Sequence, residues 1–134
     1  MEEQENRGSV ADPQHLARLL VSRANSGDAE GMAALYEAGA VLARSNQQNL
    51  VGREAIRKFY AELISTGIKF HLGEQRQAII CGDIALTSTR LPNGHITAEV
   101  ARRQSDGSWL WAIDQPAIAL TGEKAAGTED CKDH

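Results

Sequence analysis

Residues 52–67, Gly52-Arg53-Glu54-Ala55-Ile56-Arg57-Lys58-Phe59-Tyr60-Ala61-Glu62-Leu63-Ile64-Ser65-Thr66-Gly67, carry the strongest periodic signal in the chain. Ile56, Phe59, Tyr60, Leu63 and Ile64 recur at i, i+3, i+4, i+7 and i+8, which puts all five on one face of an α-helix. Glu54 and Lys58 add an i, i+4 ion pair, and Gly67 terminates the helix. Beyond residue 68 the period changes. Turn signals at Gly82-Asp83, Asn93-Gly94 and Asp106-Gly107 are each flanked by β-branched or apolar runs. They predict four antiparallel strands joined by hairpins, over about residues 69–81, 84–91, 95–104 and 108–119. A long amphipathic helix followed by a strand meander reads as α+β, with the helices packed on one face of a curved sheet. Gly73, inside the first of these strands, marks a bulge that helps it curl.

Upstream of the long helix, Asp12-Pro13 is an N-cap with proline at the first helical position, and Leu16, Leu19 and Leu20 follow at helical spacing until Asn25-Ser26-Gly27. Asp28 caps a second short helix on which Met32, Leu35 and Tyr36 share a face, with Gly39 placed as its left-handed C-terminal residue. The two make an antiparallel helix pair. A short strand-like piece, Ala40 to Ala43, and a polar loop, Arg44 to Asn49, lead into the long helix. Residues 1–12 and 121–134 are polar and have no apolar period, so both read as disordered tails around a single domain at 13–120.

Composition narrows the function classes. At 134 residues with 42% apolar and 24% charged side chains, the chain is that of a globular domain rather than a disordered or membrane protein. No apolar run approaches the ~18 residues of a membrane span, and the N-terminus lacks a basic, then apolar, leader pattern, so the expectation is a cytoplasmic protein with no membrane partner. Lys and Arg total 14 against 18 for Asp and Glu, a formal net charge of −4, which argues against nucleic acid as a partner. Cys81 and Cys131 show no CxxC spacing, and His15, His71, His95 and His134 show no HxH or HExxH spacing, so neither disulfide nor metal site is expected. Elbow, phosphate-loop and dinucleotide motifs are absent from the sequence, and no cofactor is expected.

The order of elements and several strings resemble the nuclear transport factor 2-like superfamily, in particular its ketosteroid isomerase-like and SnoaL-like polyketide cyclase members. The strings are Ser26-Gly27-Asp28 before a helix ending Ala34-Leu35-Tyr36, Gly52 to Tyr60, Gly82-Asp83-Ile84-Ala85-Leu86, and Asp106-Gly107-Ser108-Trp109 leading to Asp114. The resemblance covers roughly residues 13–118. It implies a cone in which a curved sheet wraps the long helix around an apolar pocket, and it implies a dimer. One scaffold of this kind carries many functions, so it does not deliver the reaction. The position matching the isomerase general base is Arg44, within Leu42-Ala43-Arg44-Ser45, and the stretch matching the oxyanion tyrosine is Leu19-Leu20-Val21, which has no hydroxyl. Steroid isomerisation by that mechanism is therefore disfavoured.

Asp114 is the candidate catalytic residue. It interrupts the apolar run Leu110-Trp111-Ala112-Ile113, where burial would disfavour its charged form and raise its pKa into the range a general acid or base needs. The competing reading is a strand-end cap or a partner for a nearby arginine. Glu99 is the second acidic residue in the sheet. With a two-residue turn at Asp106-Gly107 it faces Asp114, with Arg90 as its diagonal neighbour; with a bulged Ser105-Asp106-Gly107 loop it moves to the opposite face, and the sequence leaves both registers open. Arg44 offers a fork of donors to a substrate carboxylate or phosphate near the expected pocket mouth, unless it is simply a loop arginine in water. Tyr36 and Tyr60, on inward helix faces, offer hydroxyls to a ligand or sit in the core with those hydroxyls satisfied. Trp109 and Trp111 share a face, where aromatic residues fill core or a dimer interface, and Trp111 is the candidate for a ligand contact.

The expectation is a protein that binds a small, largely apolar organic molecule in the cone, with cofactor-free isomerase, cyclase or hydratase-type chemistry through Asp114 as its reaction. The alternative is a non-catalytic ligand-binding or dimeric association module. A homodimer is expected because the strand at 108–119 is apolar on both faces.

Overall fold

The computed structural model describes residues 10–44 and 48–118. Asp12 accepts a hydrogen bond from the Gln14 N–H, and a 3-10 turn at Pro13–His15 runs into α1 (Leu16–Asn25). The Asp28 side chain accepts from the Gly31 N–H and caps α2 (Ala29–Ala33). The long helix α3 (Arg53–Ser65) buries Ile56 and Tyr60. Its surface ion pair joins Glu54 to Arg57 at 2.6 Å rather than to Lys58, because the guanidinium fork reaches both carboxylate oxygens.

The strands are β1 (Tyr36–Leu42), β2 (Leu50–Val51), β3 (Glu74–Gln75), β4 (Ile79–Cys81), β5 (Ile84–Thr87), β6 (Thr89–Arg90), β7 (Ile96–Arg103) and β8 (Trp109–Ile118). They form one sheet in the order β2-β1-β8-β7-β5-β4, with β6 also on β7 and β3 on β6. All neighbouring strands are antiparallel except β1 and β8, which run parallel. The fold is α+β, an open curved sheet with three helices against its inner face. Leu16, Met32, Leu35, Leu42 and Ile56 are fully buried between the layers and each contributes roughly 1.5–3 kcal/mol. No helix among the described residues is long and apolar enough to cross a membrane.

Four sequence expectations change. The second helix ends at Ala33, and Tyr36 and Gly39 belong to β1, because the chain is captured by β8: the Trp111 N–H donates to the Leu35 carbonyl at 2.9 Å and Tyr36 pairs with Trp111. The strand expected over 69–81 is two short pieces, β3 and β4, on different neighbours. Gly73 lies outside both and marks a close approach of two backbones: a Cβ there would stand 2.2 Å from the Arg90 carbonyl oxygen. At the N-terminal boundary, Val10 is buried and its carbonyl accepts from the Trp109 N–H, so packed chain begins before residue 12. The rest of the expected tails, residues 1–9 and 121–134, lies outside the described residues.

The outer face of the sheet carries one unbroken apolar row. Val51, Val41, Ile113, Val100, Leu86 and Ile79 stand in register across β2, β1, β8, β7, β5 and β4. Ile113 is 50% exposed, Val51 67% and Ile79 65%.

Candidate functional site

The hairpin between β7 and β8 sets the site. Near the turn, Arg103 pairs with Trp109 and Ala101 with Trp111, the register of the three-residue loop in which Gly107 takes φ 90. A bulge at Ala112 then shifts the ladder by one, so that Val100 pairs with Ile113 and Glu99 with Asp114. Both turn readings of the sequence were incomplete, because the loop geometry and the bulge offset one another. The bulge has a chemical result: Trp111 and Asp114, of opposite parity along the strand, both point inward, whereas Ile113 points out. Arg90 pairs with Ile96 and is exposed, so Thr87, not Arg90, accompanies Glu99 across the ladder.

A cavity of about 240 Å³ lies between the sheet and the helices. Leu20 of α1, Phe59 and Leu63 of α3, and Phe70, Leu91 and Pro116 supply its apolar wall. Its polar groups are the Asp114 and Glu99 carboxyls, the Tyr60 side chain, Thr89, Thr97 and His71. No lysine or arginine lines it; exposed His71 is its one basic side chain among the described residues. Trp111 lines it too.

A hydrogen-bonded chain runs from the cavity into the core. Tyr36 donates its hydroxyl proton to Asp114 Oδ2 at 2.5 Å, and its oxygen lies 2.8 Å from the Tyr60 hydroxyl. With Tyr36 donating to the carboxylate, Tyr60 is the donor to Tyr36. Arg53, at the start of α3, clamps the Tyr36 carbonyl through Nε and Nη2 at 2.9 and 2.7 Å, fixing the strand that carries this hydroxyl. On the other side, Thr87 Oγ1 donates to Glu99 Oε1 at 2.5 Å while accepting from Trp111 Nε1 at 3.1 Å.

Electrostatics follow from burial. Desolvation and the facing Asp114 push Glu99 up to about 7, against the hydrogen bonds from Thr87 and Thr97. Desolvation likewise pushes Asp114 up to about 6, against the bond from Tyr36. The two carboxyls share their titration, so the pair rather than either residue loses its first proton near neutrality. Burial, and then the Asp114 charge, hold Tyr36 and Tyr60 protonated far above the ordinary phenol range.

Asp114, Glu99, Tyr60 and Trp111 therefore meet at one cavity. Tyr36 stands behind them, fully buried, hydrogen-bonded to Asp114 and Tyr60 and packed on the Trp111 ring. Arg44 is not in that lining: it stands 6.0 Å from the Phe59 ring centroid, with Nε donating to the Gln48 carbonyl, in a neighbouring pocket that shares Phe59 and Pro116 with the cavity. Sequence reasoning missed Thr87, Thr89 and Thr97. The available signal was polar residues at inward positions of strands whose other inward residues, Ala85 and Ala101, are small and apolar. No group of three or more metal-ligating side chains occurs among the described residues.

Comparisons place the fold. No curated protein matches the chain significantly. Among solved structures, an NTF2-like protein with a cystatin-like fold from Novosphingobium aromaticivorans is similar at 22% identity and TM-score 0.68, covering 95% of this chain and 90% of its own. A cystatin-like-fold domain from Nostoc punctiforme is similar at 20% identity and TM-score 0.68, covering 90% of this chain and 83% of its own. A ketosteroid isomerase-like protein from Erwinia carotovora atroseptica is similar at 19% identity and TM-score 0.64, covering 83% of this chain and 97% of its own. At these identities the likeness speaks for the fold alone, the nuclear transport factor 2-like cone anticipated from the sequence. The profile of the SnoaL-like domain matches residues 17–120, most of the chain, and the protein belongs to the SnoaL-like domain family.

Proposed function

We propose that the protein binds a small, largely apolar organic molecule in the cavity and moves a proton on it through Asp114, without a cofactor, in chemistry of the isomerase, cyclase or hydratase type. The observation that carries this reading is the Glu99–Asp114 pair facing one another across the ladder in the lining of an otherwise apolar cavity. Two buried carboxyls in register resist double ionisation, so the pair holds a proton near neutrality and can both give and accept one. The apolar wall keeps out the water that would level that basicity. Tyr36 acts as a positioning residue that fixes the Asp114 carboxyl, and Tyr60 brings the far end of the hydroxyl chain to the cavity.

Exchange of the α-protons of small cyclic ketones for deuterium, followed by NMR, tests the reading without knowledge of the natural substrate. The folded protein accelerates exchange, and Asp114→Asn loses about 10²–10⁴-fold of that acceleration. Exchange no faster than buffer across such a panel, or full exchange by Asp114→Asn, would leave a binding module rather than an enzyme.

We also propose a homodimer formed through the outer face. The in-register row from Val51 to Ile79 supports it, since a second copy laid on the row removes from water the side chains that the helices leave uncovered.

A further inference from the structure

We propose that the ligand is a cation: a small apolar amine whose protonated nitrogen sits on the Glu99 and Asp114 carboxyls while its hydrocarbon body fills the cavity. This deepens, and rests on, the reading of the cavity as a site for a small organic molecule. Three features converge on it. The first is an uncompensated charge. Asp114 is 4% and Glu99 7% exposed, they stand opposite one another, and no arginine or lysine among the described residues lines the cavity to offset them. The ion pairs of Arg57 with Glu54, Arg102 with Glu37 and Arg103 with Asp83 involve no side chain of the cavity lining. Buried carboxylates without a cation are costly, and a ligand bearing positive charge removes that cost on binding.

The second feature is an open acceptor. Tyr36 takes Asp114 Oδ2, and no described residue donates to Oδ1. Among the described residues, every side-chain polar atom wholly shut off from solvent has a hydrogen-bond partner, so Oδ1, which has none, is reached from the cavity. With Asp114 ionised, the neighbouring Tyr60 hydroxyl spends its proton on Tyr36 and can only accept from a ligand. The Glu99 carboxyl, with Thr87 on Oε1, is likewise an acceptor once it is ionised. An ammonium group, all donors, fits that set, and a carboxylate or phosphate does not.

The third is the wall. Trp111, Tyr60, Phe59 and Phe70 gather at the same cavity, and their ring faces are favourable to a cation and to the hydrocarbon it carries.

The pairing has a mechanistic result. A cation on the pair cancels the repulsion that keeps a proton there, so binding expels the proton and leaves both carboxyls ionised against the ligand. Tyr60 and the exposed His71 are the other ionisable side chains among the described residues of the lining.

Isothermal titration at pH 7 with three probes of one shape, cyclohexylmethylammonium, cyclohexylmethanol and cyclohexanecarboxylate, tests this on the unmodified protein. The expected order is ammonium tighter than alcohol by about tenfold or more, with the carboxylate weakest. Repeating the ammonium titration in two buffers of different ionisation enthalpy should show proton release into the buffer. In Glu99→Gln the preference for ammonium over alcohol falls to about threefold or less. Alcohol binding as tightly as ammonium, or an ammonium preference unchanged in Glu99→Gln, overturns the cation assignment and leaves the cavity reading standing. No binding by any of the three overturns the cavity reading and the assignment with it.

Discussion

Tyr36 and Asp114 are joined by a 2.5 Å hydrogen bond between two adjacent parallel strands, with both residues removed from solvent. Removing the hydroxyl leaves a buried carboxyl without its donor. Tyr36→Phe is expected to lower stability by about 1–3 kcal/mol, measured by urea denaturation. Because this bond pulls the Asp114 pKa down, the variant should also titrate Asp114 at higher pH, read from the carboxyl carbon by NMR.

The carboxyl pair should make the protein less stable as pH rises toward neutrality. Both groups ionise higher in the fold than their ordinary values of 3.8 and 4.5, reaching about 6 and 7. Across that window the folded chain holds protons that the unfolded chain has released. Their contribution is therefore fully present below about pH 4 and lost as pH rises through the folded values. Asp114→Asn removes both the buried charge and its repulsion of Glu99, so the gap between wild type and variant should widen in the variant's favour from pH 4 to 7.5. An effect on the order of 2 kcal/mol is expected, and an unchanged gap would mean that the pair is hydrated.

Gly73→Ala should damage the cavity as well as the fold. A Cβ at this position meets the backbone of Arg90 and Leu91, and Gly73 is itself part of the lining. Overpacking against main chain costs about 1–3 kcal/mol, and the forced separation should weaken binding of a neutral apolar probe such as cyclohexylmethanol.

Ile113→Glu tests the outer face. Ile113 is central in the apolar row and half exposed, so the substitution leaves the inner core untouched. Analytical ultracentrifugation should find the wild type at twice 14.5 kDa and the variant at the single mass. A wild-type monomer at micromolar concentration would end the dimer proposal.

The elements with long local periods could be read from sequence: α3 from its i, i+3, i+4 face, and β7 and β8 from their alternation and turn residues. Segments decided by distant partners could not. Tyr36 follows a capped helix and shares its helical face with Met32 on paper, yet β8 takes it into the sheet. The site was half legible. Asp114 stood out as a charge within an apolar run, but its company with Glu99 depends on an extra residue at Ala112 that has no local signature, and Thr87 looks like any strand threonine until Trp111 and Glu99 are found at its hydroxyl. Arg44 was linked to the pocket by alignment of a loop, and a loop's course is set by what it packs on, here the ring of Phe59.

The inserted alanine in β8 also decides what the hollow contains. Were β8 to pair through Ala112 in strict alternation, with the bulge ironed out, Asp114 would turn toward the solvent side and Ile113 toward the helices. A slip of one residue in the ladder would thus swap an acid for a hydrocarbon at the centre of the protein while every side chain kept its identity, so the reactivity of this scaffold is written in strand phase as much as in residue type.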